Sequence, residues 1–436
     1  MHRGLSKTIL NHFKNNTELK QLLSRPLPKF TAPYDSINEG FGKLYAPKYQ
    51  QPFIPVDGQG PWIKTSDDKI VYDTGGYGML GFGHNPPTIL KALQKPQVMA
   101  NIMTPNQAQY NFMEAFRKHN RWCQEIFCLN SGSEGNSLAL RIANTHCRSN
   151  AVIINLKGSF HGRTNGPAEV SDSSESTYHD KLANFDNKRV FSVTPNNLDE
   201  LSGLMDYFKS KNIFVELMIM EPVMGEGNPG YPIEPEYYTE AYRMIKKQGG
   251  LMLIDSVQAG LRCTGKLSIT DYPGFENAPA PDMECYSKAI TGGQFPLSVL
   301  ACGPRAQYSS GLYGNTLTAN PRGLDVATTV LEEMKVYESN VTESGRKLHE
   351  LLVELQTKYP TIINTVSSTG LLIALQLHHR FDYIDIERKL RINGLNCIHG
   401  GNNCIRLTPW FGLTEKESEL IVSIMEEVLE KLTNGS

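Results

Sequence analysis

From about residue 70 the hydrophobic pattern alternates between two kinds of segment. Short, largely apolar runs at Ala151–Leu156, Val190–Val193, Val215–Met220, Leu251–Ile254 and Met283–Tyr286 read as buried strands, several with turn residues soon after them. Between and beyond them, apolar positions recur at helical spacing over Ser137–Cys147, Leu198–Lys211, Pro235–Lys247 and Gly323–Tyr337. Such alternation predicts an α/β fold with a mostly parallel sheet. The tail has a different rhythm: helix over Glu343–Lys358, strand over Gly370–Leu377, helix over Ile384–Asn393, strand over Cys404–Leu407 and helix over Glu415–Leu432. It reads as a compact α+β unit. The chain has no internal repeat and no low-complexity tract.

Composition narrows the class of protein. At 436 residues the chain can bury one large core and a smaller one. A formal net charge of -2 argues against nucleic acid or an anionic membrane as partner. No apolar stretch approaches the roughly 20 residues that span a bilayer, and no h-region follows Met1, which argues against secretion. The eight cysteines form no CxxC pair, so no disulfide or zinc framework is expected, and scattered thiols suit a reducing, cytoplasmic setting. The first thirty residues are basic, with Glu18 their one acid, as in an organellar transit peptide; a mitochondrial location is the lesser alternative. The same stretch carries Leu5, Ile9, Phe13, Leu19, Leu22 and Leu23 as a short amphipathic helix stopped by Pro26 and Pro28.

The polar residues are placed where a ligand would meet them. Glu221, Asp255 and Lys288 each lie at or just past the C-terminal end of a predicted strand, the rim on which open parallel sheets bind ligands. Lys288 sits in Tyr286-Ser287-Lys288-Ala289, followed by Thr291-Gly292-Gly293, and a partly desolvated amine there is a nucleophile and proton carrier toward a carbonyl cofactor. Asp255, closing an apolar strand, needs a cationic partner, either a protonated pyridine nitrogen or a structural arginine. Ser131-Gly132-Ser133, expected just before a helix, offers free N–H groups to a phosphate, and serves equally as an ordinary N-cap. Phe160 in Ser159-Phe160-His161-Gly162-Arg163-Thr164 is either a ring for stacking or a core residue; Arg163 offers a planar fork to a carboxylate or lies on the surface. Order and context together point to pyridoxal phosphate chemistry.

These motifs resemble the class III aminotransferases (ornithine, acetylornithine and ω-amino acid type) of the fold type I pyridoxal phosphate superfamily, over roughly residues 35 to 432. The resemblance implies a large cofactor-binding domain over 76–325, a small domain over 326–436, and an N-terminal segment, 1–75, shared between the small domain and dimer contacts. It implies that Lys288 holds the cofactor as an imine, that Asp255 pairs with the ring nitrogen, that Gln258 touches the phenolic oxygen and that Phe160 stacks on the ring. Gly132 and Ser133 would cradle the phosphate. Gly314-Asn315-Thr316 resembles the segment that reaches the other subunit's phosphate, so Thr316 implies a homodimer with shared sites. Tyr77 would gate the pocket. Glu221 and Glu226 would line it, and Glu226 would pair with Arg406 and swing away when a substrate carboxylate arrives, while Arg163 grips a distal carboxylate.

The chain departs from the family pattern at a few positions. Ser256 stands where an acid usually follows the ring-nitrogen Asp, Ala259 replaces a common Thr, Trp410 a usual Pro, and Ser367 a common Arg. The expected reaction is ping-pong transfer of an amino group, from an ω-amine of a donor such as ornithine, acetylornithine, lysine or 4-aminobutyrate, to a 2-oxo acid such as 2-oxoglutarate. Aminomutase, racemase or decarboxylase chemistry on the same scaffold is the first alternative, and a non-catalytic binding protein the second.

Overall fold

The computed structural model describes residues 9, 16–27, 42, 47–99, 104–145 and 150–434. Near the N-terminus a helix covers Thr17–Ser24, with Asn16 accepting the Leu19 amide at 2.9 Å as its cap and Leu19 and Leu22 buried. The helix ends before Pro26; Leu5, Phe13 and Pro28 lie outside the described residues. A small antiparallel sheet follows, made of β1 (Pro55–Gln59), β2 (Trp62–Thr65) and β3 (Ile70–Asp73).

The central sheet contains β4 (Glu125–Leu129), β5 (Ala151–Leu156), β6 (Val190–Val193), β7 (Phe214–Met220), β8 (Leu251–Asp255), β9 (Met283–Tyr286) and β10 (Ser298–Cys302). Its order is β4-β10-β9-β8-β7-β5-β6. Strands β5 to β9 pair in parallel, and β10 runs antiparallel to both of its neighbours. The sheet is therefore mostly parallel, as the apolar runs predict. Strand β8 shows why those runs are continuous: Met252 and Ile254 pack with the helices Leu198–Ser210 and Pro235–Gln248, while Leu251 and Leu253 face the helix Gly132–Thr145 on the other side. With both faces covered, alternate side chains enter different cores, and neither set can be polar.

The C-terminal part adds β11 (Ile363–Thr369), β12 (Leu372–Leu377), β13 (Leu395–Asn396), β14 (Ile398–Gly400) and β15 (Cys404–Leu407). β13 pairs with β3, so the two ends of the chain share a sheet of order β1-β2-β3-β13; the others form β11-β12-β15-β14. Two helical expectations need correction. Gly323–Tyr337 and Glu343–Lys358 are one helix, Pro321–Lys358, of 38 residues, capped by Asn320 and started by Pro321; it runs unbroken through positions 325 and 326. The helix predicted from Ser137 begins at Gly132, so Gly132 and Ser133 form its first turn rather than precede it. Among the described residues no helix is long and apolar enough to cross a membrane.

Candidate active site

One cavity of about 250 Å³ opens at the C-terminal edge of the parallel strands. Tyr77, Gly132, Ser133, Phe160, Arg163, Glu221, Glu226, Asp255, Gln258, Lys288 and Arg406 all line it. Thr316 does not: it is exposed, away from this chain's own cavity.

Lys288 follows β9 on a left-handed backbone, φ 50°, a conformation that costs a non-glycine residue of order 1–3 kcal/mol and collects at functional sites. Burial lowers its pKa, and Arg406 lowers it further; Asp255, Glu221 and Glu226 pull it back up. The net direction is downward, toward a neutral, nucleophilic amine. Across the cavity Asp255 ends β8 and is buried. Its Oδ2 accepts from Asn136 Nδ2 at 2.7 Å and lies 2.8 Å from His161 Nδ1, and its Oδ1 accepts the Val257 amide at 3.1 Å. These contacts fix the carboxylate in orientation at the foot of the pocket.

The phosphate-type cradle is the first turn of Gly132–Thr145. Its glycines are required by close approach. A Cβ on Gly132 would lie 2.9 Å from Val257, and one on Gly162, whose φ is 130°, would lie 2.4 Å from Ser133 Oγ. Ser133 Oγ accepts the Arg163 amide at 3.2 Å, tying the Phe160–Arg163 loop to the helix. Backbone N–H groups and the positive helix end make this turn a site for an anion.

Gln258 is buried, and its Nε2 has no hydrogen-bond partner among the described residues. A donor left unmatched in a polar cavity wall fits a ring oxygen presented from the cavity. With Lys288 as amine, Asp255 as fixed carboxylate and an anion cradle at Gly132–Ser133, the lining residues fit pyridoxal phosphate. Among the described residues no cluster of His, Cys, Asp and Glu could hold a metal.

Two pairs shape the substrate side. Arg406 Nη2 lies 3.0 Å from Glu226 Oε2, and its other terminal nitrogen donates to the Gly225 carbonyl. The Arg406 guanidinium also sits 5.8 Å from the Tyr77 ring centroid. Arg163 is exposed, its guanidinium 5.3 Å from the Phe160 ring centroid. Glu221, besides lining the cavity, holds two backbone amides: Oε1 accepts that of Phe160 at 3.0 Å and Oε2 that of Gly225 at 2.7 Å. Burial raises its pKa to about 7, and its geometry makes it a brace for two loops that line the cavity.

Asn136, His161, Val257 and His399 also line the cavity, and the sequence reading gave none of them a role. His161 lies inside a quoted motif and Asn136 and Val257 close to one, but their partners are fixed only by the fold. Arg262 went unnoticed. Fully buried, it donates to the carbonyls of Gly78 at 3.1 Å, Leu371 at 3.3 Å and Pro409 at 2.6 Å, and burial lowers its pKa to about 10.

Comparison with known proteins agrees with this geometry. Residues 44–429 match the class-III aminotransferase family, and the chain belongs to that family. Acetylornithine aminotransferase of Bacillus cereus is 28% identical over 385 residues, covering 86% of this chain and 94% of that protein. Mitochondrial ornithine aminotransferase of Drosophila melanogaster is 25% identical over 395 residues, 87% of each chain. A structure of ornithine aminotransferase from Toxoplasma gondii, with pyridoxal phosphate at partial occupancy in its active site, superposes with a TM-score of 0.80 at 21% identity, covering 93% of this chain and 96% of that one. The protein is thus a pyridoxal phosphate-dependent aminotransferase of fold type I.

Proposed function

We propose that the enzyme removes the ω-amino group of an amino acid and delivers it to 2-oxoglutarate, both half-reactions using the cavity at Lys288. The observation that carries this reading is the Glu226–Arg406 pair: a buried cation neutralised by a carboxylate that is partly open to the cavity. With the pair closed, the inner pocket carries little net charge and accepts an amine-bearing chain end. With it open, Arg406 takes a carboxylate next to the reacting carbon. The names of the relatives, acetylornithine and ornithine aminotransferase, support an ω-amine donor.

Bound pyridoxal phosphate supplies a carbonyl carbon for amine exchange and a ring that stores an electron pair. Gly132 and Ser133 would hold its phosphate, Phe160 would lie against its ring, and Gln258 would offer Nε2 to its phenolic oxygen. Asp255, steadied by Asn136 and His161, would pair with the ring nitrogen and favour its protonated form. Lys288 Nζ would hold the cofactor covalently between turnovers and, when free, would carry a proton at the donor carbon. Arg163 grips the carboxylate at the far end of the substrate, and Tyr77 stands at the gate. The working unit is a homodimer in which Thr316 serves the other subunit's site. The seven described cysteines are free and buried, which accords with a reducing, cytoplasmic setting.

The test joins two measurements. Borohydride reduction and peptide mapping should put the cofactor mass on Lys288, and K288A should lose both the label and turnover. A donor panel with 2-oxoglutarate should then yield glutamate in stoichiometric amounts from ω-amino donors. No label at position 288, or consumption of donor without glutamate, would refute the reading.

A further inference from the structure

His399 lines the same cavity as Lys288, Glu226 and Arg406 and has no part in the roles above. It lies in β14, whose register sets Ile398 against Arg406 and His399 against Ile405. The turn after it is pressed onto the loop carrying Glu226: the Gly401 amide donates to the Glu226 carbonyl at 2.7 Å, and a Cβ on Gly400 would lie 3.1 Å from the same oxygen. The His399 ring is held on several sides. It stacks on Tyr49 at 4.4 Å between centroids and 25° between planes, and the Tyr383 ring lies tilted at 5.8 Å. Its Nδ1 is 3.2 Å from Glu387 Oε2.

That contact sets the tautomer. Glu387 is buried and also pairs with Arg391, whose guanidinium reaches the Cys397 carbonyl as well. A carboxylate paired in this way only accepts, so the His399 proton sits on Nδ1. In the neutral ring Nε2 is left with a lone pair, and it makes no hydrogen bond among the described residues. The wall of the cavity that carries Arg163 and Arg406, both suited to carboxylates, thus also carries a held acceptor. An acceptor selects for N–H.

We propose that His399 Nε2 is a specificity-determining acceptor for an N–H group, a second ammonium or an amide N–H, on the non-reacting end of the amino donor. This rests on the aminotransferase reading of the cavity. Such a contact favours diamino or N-acylated amino donors over donors that carry only a carboxylate there.

Ornithine and 5-aminopentanoate differ by one amino group and form the test pair. H399F keeps a flat ring against Tyr49 and removes both nitrogens, and H399Q restores an acceptor. In H399F, kcat/KM for ornithine should fall about tenfold, mostly through KM, the size of one hydrogen bond to a charged group. With 5-aminopentanoate, and in the 2-oxoglutarate half-reaction, the variant should stay within about twofold of wild type, and H399Q should recover part of the ornithine loss. Equal losses with both donors would make His399 a packing residue and overturn the proposal, as would no loss with either. A wild-type enzyme that makes no glutamate from any ω-amino donor would overturn the parent reading instead, a result separate from the selectivity of H399F.

Discussion

Ser256 Oγ donates to Glu284 Oε1 at 2.5 Å, joining the loop that follows the Asp255 strand to the strand that leads to Lys288. Glu284 pairs in register with Ile254 and also accepts from Ser268 Oγ at 2.7 Å and the Ile269 amide at 3.0 Å. The resemblance to class III enzymes raised the expectation of an acid at position 256. Here Ser256 stands there, and a buried acid lies one strand away, reaching the same loop. The loop at position 256 thus meets a buried carboxyl group from β9.

Full burial raises the Glu284 pKa to about 7 from the usual 4.5, against the pull of its hydrogen bonds. The folded protein therefore holds a proton that the unfolded chain has released between about pH 4.5 and 7, and stability falls as pH rises through that window. In E284Q this contribution should vanish. The drop in Tm between pH 5 and pH 7 should be shallower than in wild type, though not abolished, because Glu221 and Glu417 are also raised to about 7. Thermal melts across that range decide it; parallel curves for the two proteins would show that Glu284 does not titrate there.

Glu226 restrains Arg406 at 3.0 Å, and Arg406 is almost wholly buried. Glu226→Ala leaves that cation, among the described residues, with the Gly225 carbonyl and the Tyr77 ring. Donors that bring a carboxylate beside the reacting carbon, such as glutamate, should gain on ω-amine donors by about tenfold or more in relative kcat/KM. Stopped-flow half-reactions with ornithine and with glutamate measure the ratio. An unchanged ratio would show that the pair is structural and not a switch.

Gly78 has a φ of 82°, and a Cβ there would lie 2.0 Å from Gln258 Nε2. Gly78→Ala must therefore push Gln258 aside or strain the Tyr77 loop. If Gln258 anchors the cofactor ring, Gly78→Ala and Gln258→Ala should each weaken cofactor affinity about tenfold, read by titrating the cofactor-free protein. The double variant should be little worse than either, since both act on one contact. Additive losses would mean that Gly78 matters for the loop alone.

The parallel strands were legible because burial on both faces leaves a continuous apolar run; β5 to β9 were found to within about a residue at each end. Strands β4 and β10 were not. Each has five residues, and β10 pairs antiparallel with Glu125–Leu129 on one side and Met283–Tyr286 on the other, partners that no local pattern reveals. The break expected near residue 340 had a polar cause: Glu338-Ser339-Asn340 interrupts the apolar spacing. In the fold, Asn340 Nδ2 donates to the carbonyls of Phe411 at 2.6 Å and Leu413 at 3.1 Å, and the helix continues. At the site, residues near strand ends and motif glycines were readable from position. Asn136, 119 positions from Asp255, was not, since only the folded sheet brings it there.

Thr316 tests the assembly. Its neighbour Asn315 is fixed to the first turn of the cradle helix, donating to Glu134 Oε1 at 2.6 Å and accepting from Asn130 Nδ2 at 3.1 Å, while Thr316 itself is exposed. If the enzyme is the proposed homodimer, a residue next to this fixed Asn315 yet outside its own chain's cavity would serve the second copy. Thr316→Val should then weaken cofactor binding without changing the fold. The sharper readout is complementation: in a mixed dimer of T316V and K288A chains, one site combines an intact Lys288 with an intact Thr316. Co-expressed with different tags and purified through both, the mixed dimer should bind cofactor at one site with wild-type affinity and turn over at about half the wild-type rate per dimer. A mixed dimer with no more activity than the average of its two parents would place Thr316 outside the shared site.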